Sequence, residues 1–295
     1  MRLRFVAKPA IGLAAACGLG ACSPGTTGDS AGGTGQDETG AAVPQAEATA
    51  VVGDGAQASA SATAAASDAT EEGGAFSVAE TNDLYEFAYS WPEAAGDEPG
   101  LRALLDRRRQ NSLELLQENA TRGRDDARDS GFPYNRYLLR VEWEVVADLP
   151  RYLSLSARRS SYTGGAHGNY GFNSLVWDRE SGTALKPRAF FSDMTSLENA
   201  VREPFCTKLQ AERAERRDGT DAADIADDFK QCPPLEHLTI LLGSSNGRKF
   251  NRLGLLASPY VAGPWAEGAY EIDVPVTEAV LDAVDPEYRE AFALR

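Results

Sequence analysis

Histidine occurs only twice in the 295 residues, as His167 and His237, and no HExxH or CxxC spacing accompanies either. A catalytic zinc needs three protein ligands, so metal-dependent peptidase or deacetylase chemistry has no readable ligand set. Asp218, Asp221, Asp224, Asp227 and Asp228 lack the alternating oxygens, central glycine and terminal glutamate of a calcium loop. They read as a solvated helix face, and neither metal nor cofactor is expected. Cations are also scarce, with 29 Lys and Arg against 44 Asp and Glu and a formal net charge of −15. Such a surface repels phosphate backbones and anionic headgroups and steers cationic partners inward, which excludes nucleic acid. No apolar run is long enough to cross the ~30 Å core of a bilayer as a helix.

Residues 23–76 have neither Lys nor Arg, and no aromatic precedes Phe76. A stretch so poor in apolar groups cannot offset its ordering entropy and is expected to be a disordered tether with a reach of ~40 Å. Before it stand Arg2, Arg4 and Lys8, then an apolar run of about ten residues ending in Leu19-Gly20-Ala21-Cys22. That is the layout of a secretion signal, and the tetrad resembles a bacterial lipobox with Cys22 as the lipidated residue. Residues 1–22 are therefore expected to be a lipoprotein signal. The head would then hang from the cell membrane or outer membrane, facing periplasm or cell surface. Removing the leader takes away three cations and no acid, moving the net charge from −15 to −18.

Of four cysteines, Cys17 falls in the leader and Cys22 is the lipid site, which leaves Cys206 and Cys232. In an oxidising compartment a disulfide is the expectation, stabilising by roughly 3.5 kcal/mol through loop closure. A reduced catalytic thiol is the alternative.

The head, from residue 77 onward, carries period-two alternation over 84–91, 137–146, 153–157, 172–177 and 270–274, which predicts strands. Apolar spacing predicts helices over 99 to about 122, with a loop at 125–131, and over 193–217, where Pro204 should kink or divide the helix. A further acidic helix is expected over 221–229, and a short strand over 238–242. Asn246-Gly247 predicts a two-residue hairpin before a strand at 250–256. Two short helical segments close the chain. Helical blocks between antiparallel strands predict an α+β fold, antiparallel sheets with packed helices, divided into subdomains at 77–160 and 161–295.

The segment Ser160-Ser161-Tyr162-Thr163-Gly164-Gly165-Ala166-His167 invites a chemical reading. It lacks Gly-Lys-Ser/Thr and leads into a strand, so it is no phosphate loop. Gly243-Ser244-Ser245-Asn246-Gly247 matches a nucleophile elbow in form, but a strand rather than a helix is expected after it. A hydrolase could recruit Ser160 or Ser161 with His167 and Asp178, yet nothing in the spacing orients them. Binding reads better. Tyr162, Thr163 and His167 in one loop, and Tyr260, Pro264 and Trp265 in a second, are candidate contact residues, since aromatics on rigid loops supply contact surfaces.

Two runs carry a resemblance, Tyr162-Thr163-Gly164-Gly165-Ala166-His167-Gly168-Asn169 and Pro259-Tyr260-Val261-Ala262-Gly263-Pro264-Trp265-Ala266-Glu267-Gly268. Together they resemble the extracellular domain pair of RsiV-type anti-sigma factors, also found in PdaC-type peptidoglycan deacetylases. That pair is largely of unknown function. The resemblance implies a non-catalytic α+β envelope head that binds lysozyme, a cationic protein, and could inhibit it. Without a transmembrane helix or a deacetylase domain, inward signalling and deacetylation do not carry over. The alternatives are a peptidoglycan-binding or envelope-assembly module, and a cell-wall hydrolase using His167.

Overall fold

The computed structural model describes residues 66–72, 74–217 and 225–295, all within one compact unit, Ser61–Arg295. The expected leader, Cys22 and the tether before residue 66 lie outside the described residues.

Seven strands, β1 (Ala66–Glu72), β2 (Ala75–Thr81), β3 (Tyr85–Trp91), β4 (Tyr137–Asp148), β5 (Tyr152–Tyr162), β6 (Asn169–Asp178) and β7 (Thr183–Leu185), form one sheet in chain order. Helices α1 (Glu93–Gly96) and α2 (Pro99–Asp129) lie between β3 and β4. Helix α3 (Met194–Arg216) leads to a second sheet of β8 (Thr239–Gly243), β9 (Arg252–Ala257) and β10 (Tyr270–Pro275), ordered β10-β9-β8. Helix α4 (Glu278–Ala283) and a 3-10 turn at Pro286–Ala291 close the chain.

Every strand pair is antiparallel except β3/β4, whose parallel pairing aligns Phe87 with Leu139 and Tyr89 with Val141. Parallel neighbours need a crossover, and α2 is that connection. The α+β reading holds, with one parallel pair inside an otherwise antiparallel sheet.

Alternation in β3 puts Tyr85, Phe87, Tyr89 and Trp91 on one face with Leu139, Val141 and Trp143 of β4, against Leu101, Leu105 and Leu116 of α2. The opposite face of the same sheet contributes Ala147, Tyr152 and Val176 to a second core, built with α3, α4 and the small sheet. Strand β5 is therefore buried continuously from Tyr152 to Ala157. The expected subdomain boundary at 160/161 falls inside β5, and the large sheet runs on to Leu185.

Five local expectations are corrected. Strand β1 occupies residues assigned to the tether; it is an edge strand held by backbone pairing with β2, which a composition rich in small and acidic residues does not announce. Helix α2 continues to Asp129, where a loop was expected from 125, because its all-polar last turns carry no apolar period. Its stop is Gly131, at φ 73°, with the Phe132 amide donating to the Ala127 carbonyl. Pro204 sits inside an undivided α3. Between β8 and β9 lies a loop, residues 244–251, instead of a two-residue hairpin. Asn246 Oδ1 accepts from the Arg248 and Lys249 amides, and Phe250 turns into the second core to pair with Ala291. Of the acidic helix expected at 221–229, residues 221–224 lie outside the described residues and Asp227–Phe229 is a single 3-10 turn.

Candidate functional site

The turn between β5 and β6 brings its histidine against the loop before β10. His167 Nδ1 lies 2.8 Å from the Gly168 carbonyl, which can only accept, so this nitrogen carries the proton. Nε2 is then the acceptor for the Tyr260 hydroxyl at 3.2 Å. The Trp265 ring stands 4.4 Å from the imidazole at 31°, and the Tyr260 ring 6.4 Å away at 24°. The imidazole thus contacts both rings and links the three into one row. Tyr260 is 50% exposed and Trp265 37%, so the row presents aromatic area to solvent.

Tyr260 has φ 71°, the one left-handed non-glycine among the described residues. That conformation costs roughly 1–2 kcal/mol for an L-residue and persists only where its surroundings impose it. Here the Tyr260 amide donates to Gly263 and the Val261 amide to Ser258. A Cβ at Gly263 would meet the Glu267 carboxylate, so a larger residue there would have to push that side chain aside. On the far side the Tyr170 hydroxyl accepts from the Ala269 amide at 2.9 Å, tying the loop down onto β6.

Beneath the loop, the last turn of α3 supplies three arginines. Arg213, only 1% exposed, donates from Nε (3.0 Å) and Nη2 (2.6 Å) to the Ala262 carbonyl and from Nη2 to Gln231 O at 2.9 Å. Arg216 donates to the carbonyls of Glu267 and Ala269. Arg217 grips the Glu267 carboxylate through two bonds of 2.7 and 2.9 Å, and Tyr270 donates to the same group. Burial alone would raise the Glu267 pKa, but the Arg217 and Tyr270 bonds outweigh it and hold the carboxyl below its ordinary range. Burial, together with that carboxylate, pushes the Tyr270 phenol up to about 12.

Of the six candidate contact residues, the structure joins His167, Tyr260 and Trp265. Pro264 stands at the head of the 3-10 turn that carries Trp265, its carbonyl accepting from the Glu267 amide. Tyr162 ends β5 half-buried, and Thr163 is exposed in the turn; neither enters the ring row. The Ser–His–Asp arrangement does not assemble. His167 and Asp178 stand at opposite ends of β6, on the order of 30 Å apart, and Asp178 is buried and occupied by Arg151 at 2.8 and 3.0 Å. Ser160 and Ser161, adjacent in β5, point to opposite faces of the sheet. Gly243–Gly247 leads into the loop before β9, without the helix an elbow needs. No group of three or more potential metal ligands occurs among the described residues. Cys206 and Cys232 form the disulfide.

Arg213 escaped the sequence reading although its signal was present. It continues the stripe Leu197, Val201, Phe205, Leu209 at a spacing of four, so a cation falls where the helix is buried.

Residues 78–170, about a third of the chain, match the family model described as "Deacetylase PdaC"; the matched stretch carries most of the large sheet and the His167 turn. No curated protein sequence matches. Among solved structures, a DUF3298-family protein of Bacteroides fragilis shares 16% identity at TM-score 0.48, covering 77% of this chain and 97% of that one. A DUF3298-family protein of Pseudomonas aeruginosa shares 17% identity at TM-score 0.42, covering 79% and 97%.

Proposed function

We propose that this chain is a non-catalytic, lipid-anchored envelope protein whose acidic head binds a cationic protein of the lysozyme kind and inhibits it by covering its surface. The observation that carries the reading is the meeting of the two loops, 93 residues apart in sequence, in one exposed ring row. Rigid, half-exposed Tyr and Trp side chains are the usual anchors of a protein interface, and the acidic balance supplies steering toward a cation. Two outward-facing carboxyls add to this. Burial and the neighbouring Glu142 raise the Glu144 pKa, and burial raises that of Glu271, with Glu144 and Glu212 adding to it; Arg158 offsets part of both shifts.

Isothermal titration of the head against a purified lysozyme, at 50 and 150 mM salt, tests the reading. Binding that weakens with salt and is lost in Trp265→Ala supports it; no heat at either salt would sink it. Co-sedimentation with peptidoglycan that survives high salt would move the assignment to a wall-binding module. The anchor is tested separately by fatty-acid labelling, expected in the wild type and absent in Cys22→Ala.

A further inference from the structure

We propose that the Cys206–Cys232 disulfide is a thiol-sensitive latch that sets the geometry of the ring-bearing loop. Its part in recognition rests on the reading above, whereas the coupling itself is a property of the free protein. The disulfide joins the middle of α3 to the segment 225–232 and leaves both cysteines half-buried. Just before Cys232, that segment presents three backbone carbonyls to α3. Phe229 O accepts from Arg217 at 3.2 Å, Lys230 O from Arg213 at 3.5 Å, and Gln231 O from Arg213 at 2.9 Å.

The same two guanidiniums hold the ring-bearing loop from the other side. Arg213 takes Ala262 O twice, and Arg217 takes Glu267 and reaches Ala262 O at 3.4 Å. Arg213 is nearly inaccessible and, among the described residues, forms no ion pair with a carboxylate; its N–H donors are taken by carbonyls of these two segments. Withdrawing one set leaves N–H donors of a buried cation unpaired, a state costly enough to force rearrangement. The guanidinium must then tilt toward water or toward new acceptors, and the Ala262 carbonyl loses its anchor. Ala262 follows Tyr260 by two residues and precedes Trp265 by three. A shift there moves the rings that contact His167.

The chemical step is a thiol–disulfide exchange. A dithiol reductant attacks one sulfur, the Cys206–Cys232 bond breaks, and a mixed disulfide forms. The second thiol of the reductant then attacks the mixed disulfide and displaces the cysteine still bound in it. Two electrons and two protons pass to the protein, leaving two cysteine thiols and an oxidised, cyclic reductant.

Hydrogen exchange on the full-length protein, with and without a small dithiol, is the test, because it needs no partner and stands whatever the ligand proves to be. After reduction the amides of Tyr260, Gly268 and Ala269 should exchange at least tenfold faster, while those of β4, β5 and β9 keep their protection. Arg213→Gln, with the disulfide intact, should speed the same three amides. Unchanged loop exchange in the reduced protein would overturn the proposal. So would uniform loss of protection, which would make the disulfide a staple of the whole fold. Cys206→Ser/Cys232→Ser repeats the test without reductant, and an oxidised-like loop in that variant would also overturn it.

Discussion

At the scale of single residues, the ring row and its underlying ion pair make separable contributions. Tyr260→Phe removes only the hydroxyl donated to His167, a bond worth about 1 kcal/mol, so stability should fall by up to that amount in a urea melt while the ring offered to a partner stays. Tyr260→Ala and Tyr260→Gly both delete the ring and differ only in tolerance of φ 71°. The glycine variant should therefore be the more stable by about 1 kcal/mol in a urea melt. Glu267 contributes through its ionised form. Its folded pKa is depressed, so the stability it adds is fully present above the ordinary carboxylate range and is lost as pH falls through the lowered value. Glu267→Gln leaves Arg217, 11% exposed, facing a neutral amide. The expected cost near neutral pH is about 3 kcal/mol, by analogy with breaking one partner of a buried pair. Thermal melts from pH 7 to pH 3 should show the wild type losing more stability than the variant.

Among the elements, α3 does the most positioning, and it does so across Pro204. A proline in a helix interior lacks the N–H that would bond four residues back, at Ala200, and commonly costs about 3 kcal/mol. The helix stays whole because Leu197, Val201, Phe205 and Leu209 are all buried against the second core, which overrides the local defect. Pro204→Ala should raise the midpoint of denaturation, and an unchanged or lower midpoint would show that the proline is needed for packing. Strands β3, β4, β5, β6 and β10 were readable from alternation because each buries at least one apolar face. Strand β1 and the last turns of α2 were not, since their stability comes from backbone bonds and charge pairs such as Arg128–Asp125 at 3.3 Å. Neither leaves an apolar period.

At the scale of the molecule, the excess of acids sets how the head meets a partner. Charge steering acts over a Debye length of about 10 Å at 0.1 M salt, so the association rate with a cationic protein should fall steeply between 50 and 300 mM salt, and the dissociation rate much less. A stopped-flow series in which both rates respond equally would place the charges inside the contact instead of around it. Helix α2 on one face of the large sheet and the second sheet on the other give β5 two covered faces. Variants at Leu155, in one core, and Phe250, in the other, should both destabilise the unit cooperatively.

The acidity, the poverty of metal ligands, the cysteine pair and most strands were determined by the amino-acid sequence alone, because composition and short-range periodicity act locally. Both loops were legible as aromatic, glycine-punctuated turns. Their meeting was not. It depends on the Tyr170 hydroxyl and the Ala269 amide drawing the second loop onto β6, and on Arg213 and Arg217 gripping that loop from below. Contacts between residues 45 to 99 positions apart follow from how layers pack, a property no local pattern encodes. Tertiary structure thus turned two separate turns into one surface, and turned a lone histidine into the middle ring of three.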